Sequence, residues 1–254
     1  MDAVYASGTL AEYLSNVIDR LRSTLADAFL GFYVYGSVAT ESYVRGRSDV
    51  DAIVVVARSM TNLERQQVHT GVAAIPLPSD IRGLDLSIAS SAAALHPAPG
   101  ACWEMMLQIS RTETGYQARD RERCDPRLPL DLALARQEGV PLAGPAVGDV
   151  IGPVPRALVL SACIENVRLW AERDVFSDPA SGVLNACRAG QYLEEGKLSS
   201  KPEGGQWALT RGGERDLIES ALARYRGEES WFPSDAEVKR FFQGVLNQLE
   251  AARS

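Results

Sequence analysis

The sequence of 254 residues lacks any closely spaced pair of cysteines. Its four cysteines, Cys102, Cys124, Cys163 and Cys187, lie far apart, so the sequence indicates neither a zinc cluster nor a disulfide framework. No run reaches the roughly 18 apolar residues of a membrane span, and the N-terminus lacks the basic and apolar segments of a signal peptide. We therefore expect a cytoplasmic protein with reduced, buried thiols and no membrane contact.

The motifs of several enzyme classes are also missing. The only histidines are His69 and His96, and neither belongs to an H-E-x-x-H metal-binding motif. There is no G-x-S-x-G nucleophile elbow and no G-x-x-x-x-G-K-S/T phosphate loop. No competing catalytic set is therefore visible.

Positive charge is in short supply, since the formal net charge is -7 and the pI is about 5.0. Nucleic-acid binding requires clusters of Lys and Arg that neutralise phosphates. The acidic balance argues against a nucleic-acid partner and favours a small cationic one.

What is present in the first half is a mixture of helix and strand patterns. Apolar residues at helical spacing predict a helix over residues 9–26, with Thr9 and Glu12 as a capping box. Short apolar runs predict strands over 30–35, 50–56 and 84–89. A second capping box, Thr61 with Glu64, predicts a helix to about residue 75. The expected order is helix, strand, strand, helix, strand.

The second half reads as helical. A segment rich in Pro and Gly runs from residue 126 to 155, and strand patterns disappear after it. Apolar stripes then predict helices, the last of them capped by Ser234 and Glu237. We therefore predict an α+β fold with two domains: a mixed sheet with helices over residues 1–155, and a helical bundle over residues 156–254.

The informative stretch is Gly36-Ser37, followed after eleven residues by Asp49-Val50-Asp51 at the start of a strand. Two residues at positions i and i+2 of a strand project from one face, about 6.6 Å apart. Magnesium prefers a few carboxylates together with water and phosphate oxygens. The pair therefore predicts a site for Mg²⁺ and a polyphosphate.

Four residues beside this aspartate pair fit the same site. The Gly36-Ser37 pair supplies backbone N–H groups without a Cβ at Gly36 in the way, and Ser37 adds a hydroxyl for triphosphate oxygens. Ser48 lies in the adjoining loop. Asp85 alternates with apolar residues on the third strand, so it faces away from them and would accept a proton from an attacking hydroxyl if that strand pairs beside the second.

Each of these features has a plain structural alternative. A Gly-Ser pair is common, an Asp-x-Asp pair often lies in an exposed turn or a helix cap, and Asp85 by itself could be a solvated strand residue. The combination is far more specific, because the Gly-Ser pair ends one strand, the aspartates begin the next, and Asp85 lies on a third.

The pattern Gly36-Ser37-x11-Asp49-x-Asp51 before an apolar strand resembles that of the DNA polymerase β-like nucleotidyltransferase superfamily. Within it, the chain resembles the aminoglycoside adenylyltransferases that modify streptomycin and spectinomycin. The closer resemblance rests on residues 35–37, 48–51, 142–145, 153–155, 184–188 and 196–201, and it spans about residues 10 to 225.

The resemblance implies a nucleotidyltransferase domain followed by a helical domain, with ATP and the antibiotic bound in the cleft between them. It implies that Asp49 and Asp51 hold magnesium ions and that Ser37 contacts the triphosphate. Asp85 stands where the family has a glutamate taken as the general base, so its side chain is one methylene shorter.

For the helical domain, the resemblance implies that Arg188 and Lys201 grip ATP. It implies that Asp178 contacts the drug and that Trp170 and Asp174 add further drug contacts. Streptomycin-modifying members also have a tryptophan in the region around residues 103–117, with which Trp103 does not align. Without the resemblance, Trp170 reads as a core residue, the two cations as surface residues, and the two aspartates as loop or cap residues.

The expected activity is transfer of AMP from ATP to a hydroxyl of an aminoglycoside or aminocyclitol antibiotic, with Mg²⁺ as cofactor and the protein as a monomer. Two alternatives stay open. One is a nucleotidyltransferase that modifies another hydroxyl, such as that of a partner protein. The other is a nucleotide-binding homologue without catalytic activity.

Overall fold

The computed structural model describes residues 8–40, 42–110, 114–118, 127–173, 178–228 and 231–252. It divides into two compact units, Met1–Pro155 and Arg156–Ser254. Each unit is described below by itself.

The first unit is built on one six-stranded mixed sheet with the strand order β5-β4-β3-β2-β1-β6. Strands β2 and β3 pair in parallel and the other neighbours are antiparallel. The strands are β1 Phe29–Tyr35, β2 Val50–Val56, β3 Gly83–Ser90, β4 Met105–Ser110, β5 Thr114–Ala118 and β6 Val140–Ala143. The helices are α1 Gly8–Leu25, α2 Asn62–Ala73, α3 Ser91–Leu95, α4 Leu128–Glu138 and α5 Val147–Val150. The predicted α+β class is confirmed.

One face of the sheet forms the main core of this unit. In β2 the alternate residues Val50, Ala52, Val54 and Val56 are buried in a cluster with the apolar sides of α1 and α2. Successive side chains of a strand point to opposite faces. Asp51 therefore lies on the face opposite this core.

The predicted order of helix, strand, strand, helix, strand is confirmed by α1, β1, β2, α2 and β3. The capping box predicted for Thr9 and Glu12 is wrong. Thr9 lies inside α1, and its hydroxyl donates to the two carboxylate oxygens of Asp80 at 3.0 and 2.9 Å. Local spacing assigns the Thr9 hydroxyl to a helix cap, but this hydroxyl instead bonds to Asp80, which is 71 residues away in sequence.

The segment between β3 and the end of the unit contains elements that the sequence pattern did not reveal. Strand β4 joins the sheet beside β3, and β6 pairs with β1. The Pro- and Gly-rich segment over 126–155 contains α4 as well as β6. The shortest elements, β6 and α5, have 4 residues each, which is too few for a clear period.

The capping box predicted for α2 is present. The Thr61 hydroxyl accepts from the Glu64 N–H, and the Glu64 carboxylate accepts from the Thr61 N–H at 2.7 Å. Arg58 also pairs with Glu64 at 2.8 Å. The hydrogen bond from Arg58 is the main reason that the pKa of Glu64 falls to about 2, with the Thr61 hydrogen bonds lowering it further.

We expect Glu64→Gln to lower the free energy of unfolding by roughly 1 kcal/mol near neutral pH, because glutamine keeps the cap but loses the charge. Arg58 is 52% exposed, so solvent screens much of the pairing. A carboxyl group with a lowered folded-state pKa stabilises above its ordinary pKa of 4.5, and that contribution disappears as the pH falls toward about 2.

Urea unfolding of both proteins at about pH 7 and about pH 3 tests this expectation. The difference between wild type and Glu64→Gln should shrink at the lower pH. The exposed residue Glu172 provides a control, since Glu172→Gln should change little at either pH. If the free energy of unfolding differed equally between wild type and Glu64→Gln at both pH values, the expectation would be contradicted.

The second unit is helical, as predicted. Its helices are α6 Arg156–Ala171, α7 Pro179–Glu195, α8 Lys201–Thr210, α9 Arg215–Arg226 and α10 Asp235–Ala251. The predicted stripes of α6, α9 and α10 bury residues such as Ile164, Ile218 and Phe242. Helix α7 packs against α6, α8, α9 and α10, so it lies at the centre of the bundle.

The cysteines differ in part from expectation. Cys163 and Cys187 are free and buried, and burial raises the pKa of each thiol to about 12. Cys102 is disulfide-bonded, which corrects the expectation of reduced thiols throughout. Cys124 lies outside the described residues. Sequence spacing cannot reveal a disulfide, because bond formation depends on the distance between the two Cα atoms in the folded chain.

Candidate active site

One row of polar residues crosses the sheet on the face opposite the core. Asp51 on β2 pairs in register with Tyr35 on β1 and with Asp85 on β3, and Asp85 pairs with Gln108 on β4. Residues that pair directly across neighbouring strands project from the same face. The predicted neighbourhood of Asp51 and Asp85 is therefore present.

Asp51 lies against the Gly-Ser turn. A Cβ atom at Gly36 would lie 2.6 Å from the Oδ2 of Asp51, and Gly36 has a φ of +66°. Both the positive φ and the close approach favour glycine at this position. The Gly36 turn and the Asp51 carboxylate, which is the candidate metal ligand on β2, are therefore within van der Waals range of each other.

Asp49 lies immediately before β2, where its carboxylate faces the start of β3. A Cβ atom at Gly83 would lie 2.8 Å from the Oδ1 of Asp49. The Oδ2 of Asp49 pairs with the Nη2 of Arg82 at 3.2 Å, and Arg82 also donates to the Arg47 carbonyl at 3.2 Å. A guanidinium therefore balances the charge of Asp49.

The surroundings of Asp85 raise its affinity for a proton. Burial raises its pKa above the ordinary value of 3.8, and the negative charge of Asp49 raises it further. A hydrogen bond from Gln108 lowers it in part, as do Arg127 and Arg82. A carboxylate with a raised pKa is a stronger base, which suits acceptance of a proton from a hydroxyl.

Tyr35 belongs to the same row and is 5% exposed. Burial raises the pKa of its phenol well above 10.0, and the charges of Asp131, Asp51 and Asp85 raise it further. Tyr35 is therefore a neutral phenol beside several carboxylates.

The predicted phosphate-binding turn follows β1 directly as a 3₁₀ turn over Gly36–Val38. The Gly36 N–H donates to the Oε1 of Glu138 at 3.1 Å. The Ser48 hydroxyl accepts from the Val44 N–H at 3.0 Å, which closes the loop before Asp49. Phosphate binding by Gly36, Ser37 and Ser48 stays a prediction.

In the second unit, Lys201 and Asp178 both form hydrogen bonds with Ser181. Asp178 is the N-cap of α7 and accepts from the Ser181 N–H at 3.1 Å. The Lys201 ammonium donates to the Ser181 hydroxyl at 3.2 Å. The structure thus brings the predicted ATP cation and the predicted drug carboxylate to one end of α7. Asp174 lies outside the described residues.

Arg188 lies farther along α7 and donates to the Asn185 side chain at 3.3 Å. Helix α8 approaches it closely, since a Cβ at Gly204 would lie 2.6 Å from the Arg188 Cγ. The roles predicted for Arg188, Lys201 and Asp178 stay predictions.

Trp103 is buried, whereas Trp170 is only partly buried. Trp170 stacks on Phe242 with ring centroids 5.9 Å apart, and the Arg173 guanidinium lies 4.4 Å from its ring. Trp103 is 4% exposed, and its indole N–H has no hydrogen-bond partner among the described residues. The drug contact predicted for Trp170 stays a prediction.

Sequence reasoning did not identify three residues that contact the site: Gln108, Arg82 and Glu138. Gln108 had a signal, because Met105, Leu107 and Ile109 alternate with it as buried residues of β4. Arg82 and Glu138 had none, since each acts through a pairing that only the folded sheet creates.

The donor set fits Mg²⁺ in type and number. Asp49 and Asp51 offer carboxylate oxygens, which this hard cation prefers. Within the described ranges, no group of three or more His, Cys, Asp or Glu side chains is placed to hold a metal ion. Two carboxylates leave positions for water and phosphate oxygens, which is how Mg²⁺ binds beside nucleotides.

A mixed sheet with paired aspartates at a strand start, a third acid on the adjacent strand and a Gly-Ser turn is an arrangement typical of nucleotidyltransferases. Residues 149–248 match the model of the aminoglycoside adenylyltransferase C-terminal domain. Over these residues the chain is similar to the aminoglycoside adenylyltransferases.

Curated relatives match over nearly their whole length. Spectinomycin 9-adenylyltransferase of Staphylococcus aureus is 23% identical, with 97% of each chain covered. Aminoglycoside (3'') (9) adenylyltransferase of Klebsiella pneumoniae is 25% identical, with 93% of each chain covered. The fold also matches the crystal structure of spectinomycin adenyltransferase AAD(9) from Enterococcus faecialis with ATP and spectinomycin. That match has a TM-score of 0.80 at 19% identity and covers 94% of this chain and 99% of the other.

Proposed function

We propose that this protein transfers AMP from ATP to a hydroxyl of an aminocyclitol or aminoglycoside antibiotic of the spectinomycin and streptomycin class, and so confers resistance. The observation that carries this proposal is the register that sets Asp51 beside Asp85 on one face of the sheet, next to the Gly36-Ser37 turn. The near full-length similarity to adenylyltransferases of these drugs supports the acceptor class. The net charge of -7 suits a cationic substrate.

In the proposed reaction, the acceptor hydroxyl attacks the α-phosphorus of ATP, the bond from that phosphorus to the bridging oxygen breaks, and pyrophosphate leaves. Asp85 accepts the proton of the hydroxyl, and the rise of its pKa through burial and the charge of Asp49 suits this role. Asp49 and Asp51 would hold Mg²⁺, which when bound neutralises charge on the phosphate oxygens. Gln108 holds the Asp85 carboxylate by a hydrogen bond.

A mass-spectrometric assay tests the proposal. The protein is incubated with ATP, Mg²⁺ and a panel of aminocyclitol and aminoglycoside antibiotics, and the drugs are examined for the gain of an AMP unit. We expect adenylylation of at least one drug and none when EDTA replaces Mg²⁺. Transfer to a protein acceptor, without stimulation by any drug, would support the alternative nucleotidyltransferase instead. Nucleotide binding without pyrophosphate release would indicate the homologue without catalytic activity.

A further inference from the structure

The peptide groups on both sides of Gly36 are held in different ways. Its carbonyl accepts from the N–H groups of Ala39 and Thr40 at 3.1 and 3.2 Å, which are bonds within the turn. Its N–H donates to the Oε1 of Glu138 at 3.1 Å, and Glu138 is 102 residues away in sequence. The orientation of the turn therefore depends on a side chain outside it.

Two local features of the fold bring Glu138 close to Gly36. Strand β6 pairs antiparallel with β1, with Val34 opposite Val140. Gly36 directly follows β1 and Glu138 lies two residues before β6, so this pairing brings the two positions close together. Glu138 is also the last residue of α4, and the next residue is Gly139, where a Cβ would lie 2.2 Å from the Ala135 carbonyl oxygen. Only glycine fits this tight passage from α4 into β6.

The consequence concerns Ser37 and Asp51, which border the same turn. A buried or partly buried N–H without a partner is costly, so loss of the Glu138 acceptor would let the turn reorient. Reorientation would move the Ser37 hydroxyl and the peptide that packs on the Asp51 carboxylate. The negative charge of Glu138 does not favour a polyphosphate, so its contribution lies in the hydrogen bond.

We propose that Glu138 is a positioning residue for nucleotide binding, because it fixes the Gly36-Ser37 turn through the Gly36 N–H. This proposal rests on the proposed nucleotidyl transfer and names a residue that supports the triphosphate end of the same site. Glu138 does not contact the reacting atoms in this role. It acts on the affinity for ATP and not on the chemical step.

Two variants separate the hydrogen bond from the charge. Glu138→Gln keeps an oxygen acceptor of the same reach and removes the charge, whereas Glu138→Ala removes both. We expect Glu138→Ala to raise the KM for ATP about tenfold with kcat changed by less than about threefold, and Glu138→Gln to stay within about threefold of wild type in both. Calorimetric titration with Mg-ATP in the absence of any acceptor should show the same order of affinities.

Controls distinguish positioning from a general loss of structure. Thermal unfolding of each variant checks the fold, and Asp19→Asn, an exposed acid of α1, should leave KM and kcat unchanged. If Glu138→Ala does not fold, Glu138→Asp serves instead, because its carboxylate is one methylene too short to reach Gly36. Like Glu138→Ala, this variant should raise the KM for ATP.

Unchanged Mg-ATP affinity in Glu138→Ala or Glu138→Asp would overturn the proposal, as would a defect in Glu138→Gln equal to that of Glu138→Ala. A lowered kcat at unchanged KM would overturn it too. If wild type modifies no acceptor, the proposed function fails by that result alone. The calorimetric affinities then still decide the role of Glu138.

Discussion

Replacement of Asp49 by asparagine is expected to lower the rate of AMP transfer about a thousandfold while the protein stays folded. The asparagine side chain would keep the shape of the aspartate but lose the charge that balances Arg82 and would hold Mg²⁺. A loss of about 4 kcal/mol in transition-state stabilisation corresponds to about a thousandfold in rate. Turnover of ATP and drug, measured by pyrophosphate release at saturating Mg²⁺, is the test.

Stability should change little in Asp49→Asn, because the Arg82 partner is 51% exposed and such pairs contribute at most about 1 kcal/mol. Thermal unfolding checks this. Asp19→Asn removes an equal charge from the exposed surface of α1 and should turn over like wild type. Near wild-type turnover of Asp49→Asn with Mg²⁺ would refute a metal-binding role for this residue.

Replacement of Asp85 by asparagine is expected to lower kcat about a hundredfold or more with a small effect on ATP binding. A general base contributes roughly 10²- to 10⁴-fold to a rate. The amide of asparagine cannot accept the proton, although it occupies the same place opposite Asp51 and Gln108. Single-turnover rates at saturating ATP and drug, with Mg-ATP affinity measured separately, separate the two effects.

Asp85→Glu is the matched control for that experiment. It keeps a carboxylate on the same face of β3 and restores the residue type that the family resemblance places at this position. We expect Asp85→Glu to keep a large share of the kcat that Asp85→Asn loses. The assignment of Asp85 as the base would be wrong if asparagine weakened ATP binding more than it lowered kcat.

The sequence predicted much of the first unit because its strongest signals are local. The apolar stripe of α1, the run from Val50 to Val56 and the capping box of Thr61 with Glu64 all depend on neighbouring residues. Strand β6 and helix α4 were missed because the Pro and Gly residues around them are typical of loops. Such short elements are stabilised by the partners on which they pack.

The candidate site was predicted in part for a related reason. The i and i+2 spacing of Asp49 and Asp51 and the alternation around Asp85 place these carboxylates on defined faces of two strands. That the two strands are neighbours was an assumption, and the register of β2 with β3 confirms it. The disulfide of Cys102 and the hydrogen bond of Thr9 with Asp80 had no local signal.

The sequence by itself determined which residues are candidates to bind a cation and a phosphate, since residue type and strand period are properties of the chain. Only the tertiary structure decided which side chains surround them. Arg82 pairs with Asp49, Gln108 with Asp85 and Glu138 with Gly36. These pairings join residues on or next to different strands, or a turn and the end of a helix, and so depend on strand order and register. Those are set by the burial of the whole apolar face of the sheet and not by any short stretch of sequence.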